Sequence, residues 1–142
     1  RPNPKAKSDD LLRALAAKGG VIGITALSTF NEDPDRPGIR PGLPDFVKHI
    51  EYVADLVGIE HVGIGLDFDE TNTPENYYAD DLRFPELVSG FSWEEKRIQD
   101  LTDASQLPNV TRALVVAGFT REEIEKVLGL NFLRVFQQVW GG

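Results

Sequence analysis

The sequence predicts an α/β fold with parallel strands, on three observations. Two short apolar runs with β-branched bias, Val21-Ile-Gly-Ile-Thr25 and His61-Val-Gly-Ile-Gly-Leu66, have the length and character of buried strands. Each follows a stretch in which apolar residues recur at helical spacing and which ends at glycine. The resulting order of helix, strand, loop, helix, strand belongs to α/β units whose strands run parallel.

Taken in order, Arg1 to Lys7 is rich in Pro and Lys and reads as loop. Ser8 is a good N-cap, and Asp9 and Asp10 fall in the first turn, where they complement the helix dipole. Leu11, Leu12, Leu15 and Ala16 form one apolar stripe, stopped by Gly19-Gly20. After the first strand, residues 30–44 are rich in turn residues and predict a long loop. Phe46, Val47, Ile50, Val53, Ala54 and Val57 predict a second helix ending at Gly58, and the second strand follows. Residues 70–92 are acidic and aromatic without a clean period, which reads as loop or lid. Ser92-Trp-Glu-Glu95 and Thr120-Arg-Glu-Glu123 fit capping boxes, the first opening a short helix to about Leu101. Val110 to Ala117 predicts a helix stopped by Gly118. Gly129 breaks the helix opened at Thr120, and Leu130, Leu133, Val135, Phe136 and Val139 carry the last one. Two apolar strands cannot close a sheet, and with no Met and a loop-like opening the chain reads as a segment whose remaining strands come from elsewhere in a parent protein.

Composition narrows the function classes. A net charge of −8 and a pI near 4.7 argue against nucleic acid or an anionic membrane surface as partner. No apolar run approaches the length of a bilayer span. Zero Cys excludes disulfides and thiolate metal sites, and leaves the compartment, cytoplasmic or exported, undetermined.

The second strand ends in acid, with Asp67, Asp69 and Glu70. A buried strand that delivers a carboxylate at its C-terminal end is how α/β proteins furnish active sites, since the polar end emerges into a crevice. Strand capping is the plainer reading of the same residues. Asp69 is expected to bind backbone N–H groups of the following turn. His49 on the helix and His61 at the strand entry are read as structural, Asn131 as a backbone tie, and Arg134 as the partner of a carboxylate. Gly63-x-Gly65 lacks the third glycine of a dinucleotide fingerprint.

Four stretches, in order, resemble the membrane (renal) dipeptidase family of zinc peptidases, within the amidohydrolase-like barrels. They are Asp9 to Ile24, His49 to Asp69, Asp103-Ala-Ser-Gln-Leu-Pro-Asn-Val110 and Gly129-Leu-Asn-Phe-Leu-Arg-Val-Phe136. The resemblance implies the C-terminal portion of a (β/α)8 TIM-like barrel, contributing its last two parallel strands and their helices. It implies zinc-dependent hydrolysis of dipeptides, with two Zn ions per full-length subunit held by residues upstream of Arg1 and no metal ligand in this segment. Asp67 then matches the carboxylate that transfers the proton beside the metals, and Arg1 the arginine that holds the substrate carboxylate. The implied partners are the dipeptide, the N-terminal barrel strands and, since the family is often dimeric, a second copy. Residues 1–142 form one domain portion on this reading, with 70–102 a lid-like insertion. Leu66 and Glu70 depart from the family, which commonly has Ser or Gly and Gly there. Two alternatives stand beside it. Asp67-Phe-Asp69-Glu-Thr71 also fits the D-x-D-x-T pattern of haloacid-dehalogenase-like Mg2+ phosphohydrolases, and an inactive barrel would share every feature of this segment.

Overall fold

The computed structural model describes residues 6–69, 71–84 and 90–141. The first helix, α1 (Asp9–Ala17), is capped by the Ser8 hydroxyl, which accepts from the Leu11 N–H at 3.3 Å. The chain turns at Gly19 (φ +74°) and enters β1 (Ile22–Ile24). A single turn, α2 (Ser28–Asn31), opens the predicted loop. Inside that loop Arg36 bridges Asp33 at 3.0 Å and Asp45 at 2.7 Å.

Helix α3 (Leu43–Val57) starts three residues before the predicted stripe, because Asp45 reaches back to the Gly42 N–H at 3.1 Å and Pro44 suits the first turn. It ends at Gly58 (φ +102°), and β2 (Val62–Ile64) follows. The strands pair in parallel with Ile22 opposite Val62 and Ile24 opposite Ile64, and the Gly65 N–H adds one bond to Ile24 O at 2.9 Å. Both strands are shorter than predicted. The ladder stops because Leu66 O is taken by a side chain, as described below, and Asp67 leaves the extended conformation.

Val62 packs with Phe46, Ile50 and Val53 of α3 and with Val110 and Leu114 of α5 (Leu107–Val116) in the core between the strands and the helices. The other strand face carries Gly23, Gly63 and Gly65. A Cβ on Gly63 would lie 2.6 Å from the Phe132 ring, and one on Gly23 3.0 Å from Gly65 Cα. These glycines serve close packing, which accounts for the Gly63-x-Gly65 pair without a nucleotide.

Four expectations need correction. Residues 70–92 are not all loop: Pro74–Arg83 forms a helix, α4, with Thr73 as N-cap and Pro74 in its first turn. The Ser92 box opens only a 3-10 turn, Trp93–Glu95. The chain then runs against residues 26–28, with Ser28 N–H to Lys96 O at 2.8 Å and Ile98 N–H to Ala26 O at 2.9 Å. Phe91, Ile98 and Leu101 are buried, so residues 91–101 belong to the core, and the described part of 70–102 that stands off the core is 71–84. Residues 70 and 85–89 lie outside the described residues. Finally, Arg134 pairs with carbonyls, not a carboxylate: it donates to Gly19 O and Glu60 O, each at 2.9 Å.

The Thr120 capping box opens α6 (Arg121–Glu125) as predicted. Gly129 marks a kink within a π-helical turn, Lys126–Leu130, through which α6 passes into α7 (Asn131–Trp140). Among the described residues no helix is long and apolar enough to cross a membrane.

Candidate functional site at the end of β2

The C-terminal end of β2 gathers the chain's chemistry. Asp67 is exposed and has φ +57°, a left-handed conformation that costs a non-glycine residue about 1 kcal/mol. Asp69 is also exposed. It accepts from the Thr71 N–H at 2.9 Å and from its hydroxyl at 2.7 Å, the turn-binding role expected of it. These two bonds, the hydroxyl first, hold its carboxyl below the usual carboxylate range. Both bonds turn the Asp69 carboxylate toward its own following turn.

Two cations from residues 91–98 face this acidic end. Arg97 is only 6% exposed. Its Nη1 donates to Leu66 O at 3.1 Å, and its guanidinium carbon lies 4.5 Å from the centroid of the Phe68 ring. Burial lowers its proton affinity, and the charges of Asp67 and Asp69 oppose that effect. Lys96 sits with Nζ 3.2 Å from the Trp93 ring centroid. Burial lowers its pKa first and the Arg97 charge second, against Asp69 and Asp67. Trp93 also packs edge-on against Tyr77 of α4, whose hydroxyl donates to Phe91 O at 2.9 Å, while the Trp93 N–H donates to the Tyr78 hydroxyl at 3.2 Å. Helix α4 thus rests on the same segment that supplies the two cations.

Sequence reasoning found Asp67 and Asp69 and missed Arg97 and Lys96. Their signal was a Lys-Arg pair ahead of Ile98, in a stretch read as a short helix within a lid-like insertion. Arg1 lies outside the described residues. The two histidines stand apart from Asp67: His61 Nδ1 is 2.8 Å from Gly20 O at the strand entry, and burial beside β1 lowers the pKa of His49. A surface cavity of about 710 Å³ between α3 and α5 includes Val47, Asp100 and Arg112 in its wall but not Asp67. Among the described residues, no group of three or more His, Cys, Asp and Glu side chains is arranged to hold a metal ion.

Comparison with known proteins fixes the family. The model of the membrane dipeptidase family, peptidase family M19, matches residues 1–102 and 88–140. The chain belongs to the membrane dipeptidase family. Dipeptidase ataJ of Aspergillus terreus is 33% identical over 141 residues, covering 97% of this chain and 28% of its own length. An uncharacterised protein in the pqqA 5′ region of Klebsiella pneumoniae is 28% identical over 139 residues, covering 98% of this chain and 42% of its own. An amidohydrolase structure from Pseudomonas aeruginosa superposes with a TM-score of 0.81 at 28% identity, over all of this chain and 43% of that one. A metallopeptidase from Rhodobacter sphaeroides, solved with a phosphinate mimic of the dipeptide L-Ala-D-Ala, gives 0.71 at 18% identity over 96% of this chain and 32% of its own, a likeness of fold. This membrane dipeptidase family chain therefore spans less than half the length of the relatives it matches.

Proposed function

We propose that this chain is the C-terminal part of a (β/α)8 metallo-dipeptidase, with β1 and β2 as its last two strands and Asp67 as the carboxylate that moves the proton in dipeptide hydrolysis. Family membership supports the reaction class, and the observation that carries the residue assignment is the Asp67 carboxylate, exposed in a left-handed turn at the C-terminal end of β2. Strand ends at that face are where barrel enzymes place their chemistry.

The described residues do not build a zinc site by themselves, so the two zinc ions of this reading would be held by residues this chain does not contribute. What the chain supplies is a base. Peptide hydrolysis needs a group that takes a proton from the attacking water and returns it to the leaving amine, and a solvent-accessible carboxylate at a fixed position does both. Arg1, ahead of α1, would hold the substrate's terminal carboxylate as a planar two-point donor. Helix α4, standing off the core on its aromatic contacts, would serve as the lid of the site.

The test is turnover by the intact protein of a panel of alanyl dipeptides, L-Ala-D-Ala among them. Activity should vanish in chelator and return with zinc. Asp67→Asn should lower kcat by roughly 10²- to 10⁴-fold with metal content unchanged, the usual size of a general acid–base contribution. Arg1→Gln should act chiefly on KM. Phosphate-ester turnover with Mg2+ in place of dipeptide hydrolysis, or an Asp67→Asn variant with unaltered kcat, would defeat the assignment.

A further inference from the structure

The turn that presents Asp67 is not held by the sheet. The ladder's last described bond is that of the Gly65 N–H, and Asp67 then takes a left-handed backbone conformation, which costs an L residue about 1 kcal/mol. Leu66 and Phe68 pack against the core on either side of it, and among the described residues one polar side chain touches both of them. Arg97 donates to the carbonyl of Leu66, immediately before Asp67, and lies against the ring of Phe68, immediately after it. A single guanidinium therefore grips both flanks of the candidate base.

The gripping residue is itself fixed. Its own carbonyl accepts from Arg40 Nε at 2.9 Å, and the residues on either side of it bond to Ala26 and Ser28 beyond β1. Burying a charged group costs several kcal/mol where its partners are incomplete, and a neutral amide could donate one bond to Leu66 O without that cost. A buried guanidinium is the costly choice for a backbone tie alone. Among the described residues, its charge acts toward the Phe68 ring and toward Asp67 and Asp69.

We propose that Arg97 is a positioning residue for the reaction: it holds the Leu66–Phe68 turn so that the Asp67 carboxylate has one pose. This rests on the reading of Asp67 as the proton carrier. Misplacing a reacting group by about 1 Å costs on the order of 10²-fold in rate. Loss of Arg97 should thus fall on kcat, not on substrate binding.

The experiment uses the intact zinc-loaded protein with Arg97→Gln, Arg97→Lys and Asp67→Asn, on the same alanyl dipeptides. Each variant is read for kcat, KM, bound zinc and amide hydrogen exchange across Leu66–Asp69. The expected result for Arg97→Gln is a kcat loss of about 10- to 100-fold, KM within threefold, unchanged zinc, and exchange at 66–69 at least tenfold faster with little change elsewhere. Arg97→Lys keeps the charge and should recover part of the kcat. A kcat within twofold of the parent for Arg97→Gln, or exchange raised uniformly over the whole protein with kcat intact, would overturn the proposal and leave Arg97 a core residue only. Should Arg97→Gln fail to fold, Phe68→Leu removes the ring against the guanidinium while keeping an apolar side chain against the core, and unchanged kcat and exchange in that variant would overturn the proposal equally. The underlying reading fails separately: if Asp67→Asn keeps full kcat while Arg97→Gln still loosens residues 66–69, Arg97 holds the turn but the turn carries no base.

Discussion

Replacing Asn131 by Ala should destabilise the fold more than the loss of one small side chain suggests. Asn131 opens α7 at 3% exposure, and its amide donates to Ile59 O at 2.7 Å and Val62 O at 2.8 Å. A neutral hydrogen bond contributes about 1 kcal/mol net, so two bonds give about 2 kcal/mol. The carbonyls left behind lie at the entry of β2 under the closing helix, where a dry, unpaired acceptor adds about 1 kcal/mol more. The expected loss is therefore about 2–3 kcal/mol. Denaturant unfolding of the intact protein measures it as the midpoint shift multiplied by the slope, provided the slope is unchanged. Asn131→Asp is the sharper arm: it keeps the shape, removes the donors and faces two carbonyls with a carboxylate, so it should be worse than Ala. A loss below about 0.5 kcal/mol for Asn131→Ala, or an Asp variant more stable than the Ala one, would show that the two carbonyls find other donors and that the tie is incidental.

Two further outcomes are open to direct measurement. Gly63→Ala puts a methyl group 2.6 Å from the Phe132 ring and should cost about 1–3 kcal/mol, most of it recovered when Phe132→Leu is added; a neutral Gly63→Ala would mean the ring gives way freely. Stability should also fall on acidification. Asp33, Glu60, Asp69, Asp103 and Glu123 are all held below their ordinary carboxylate values, chiefly by bonds from the Asp35 N–H, the Lys126 ammonium, the Thr71 hydroxyl, the Ser105 hydroxyl and the Thr120 N–H respectively. The unfolded chain then binds more protons through the carboxylate range, so their stabilisation is complete above the unfolded values of 3.8 and 4.5 and is lost as pH falls through the folded ones. Burial of uncharged His49 adds an earlier loss as pH falls through its ordinary value of 6.5, so the melting point should decline gently from neutral pH and further below about 4; a melting point that rises on acidification would contradict these assignments.

What the sequence made legible was local. Ser8, Gly58 and the Thr120 box act within one turn of chain, and each does in the structure what its type predicts. The β2 motif was readable because an apolar run ending in Asp is a one-dimensional pattern. Helix α4 was not, because its contacts are aromatic and reach across the chain from Tyr77 and Tyr78 to Trp93, so its own segment carries no apolar stripe. Residues 91–101 misled for a related reason. They were read within a lid-like insertion, while Phe91, Ile98 and Leu101 are buried where the chain pairs with residues 26–28, some seventy positions earlier. Arg134 illustrates the same limit: proximity along the chain suggested a carboxylate partner, and the fold supplied two backbone carbonyls instead.

The two ends of β2 show how a short strand with one described neighbour divides its duties. At the entry, the carbonyls of Ile59, Glu60 and Val62 accept from Asn131 and Arg134 of α7. The buried donor there is a neutral amide, and the charged one is partly open to solvent. At the exit, Leu66 O accepts from a guanidinium almost wholly out of water. Fastening a carbonyl requires only a donor, so the entry uses the less costly chemistry and the exit does not. The difference between the ends is what they present: the entry offers backbone alone, and the exit offers two carboxylates. A cation beside two carboxylates keeps its charge most securely as an arginine, and here its own backbone locks it into a paired segment. That is the arrangement at Arg97. It also ties α4 to the Asp67 turn, because α4 rests on Trp93, four residues before the guanidinium that touches both flanks of that turn.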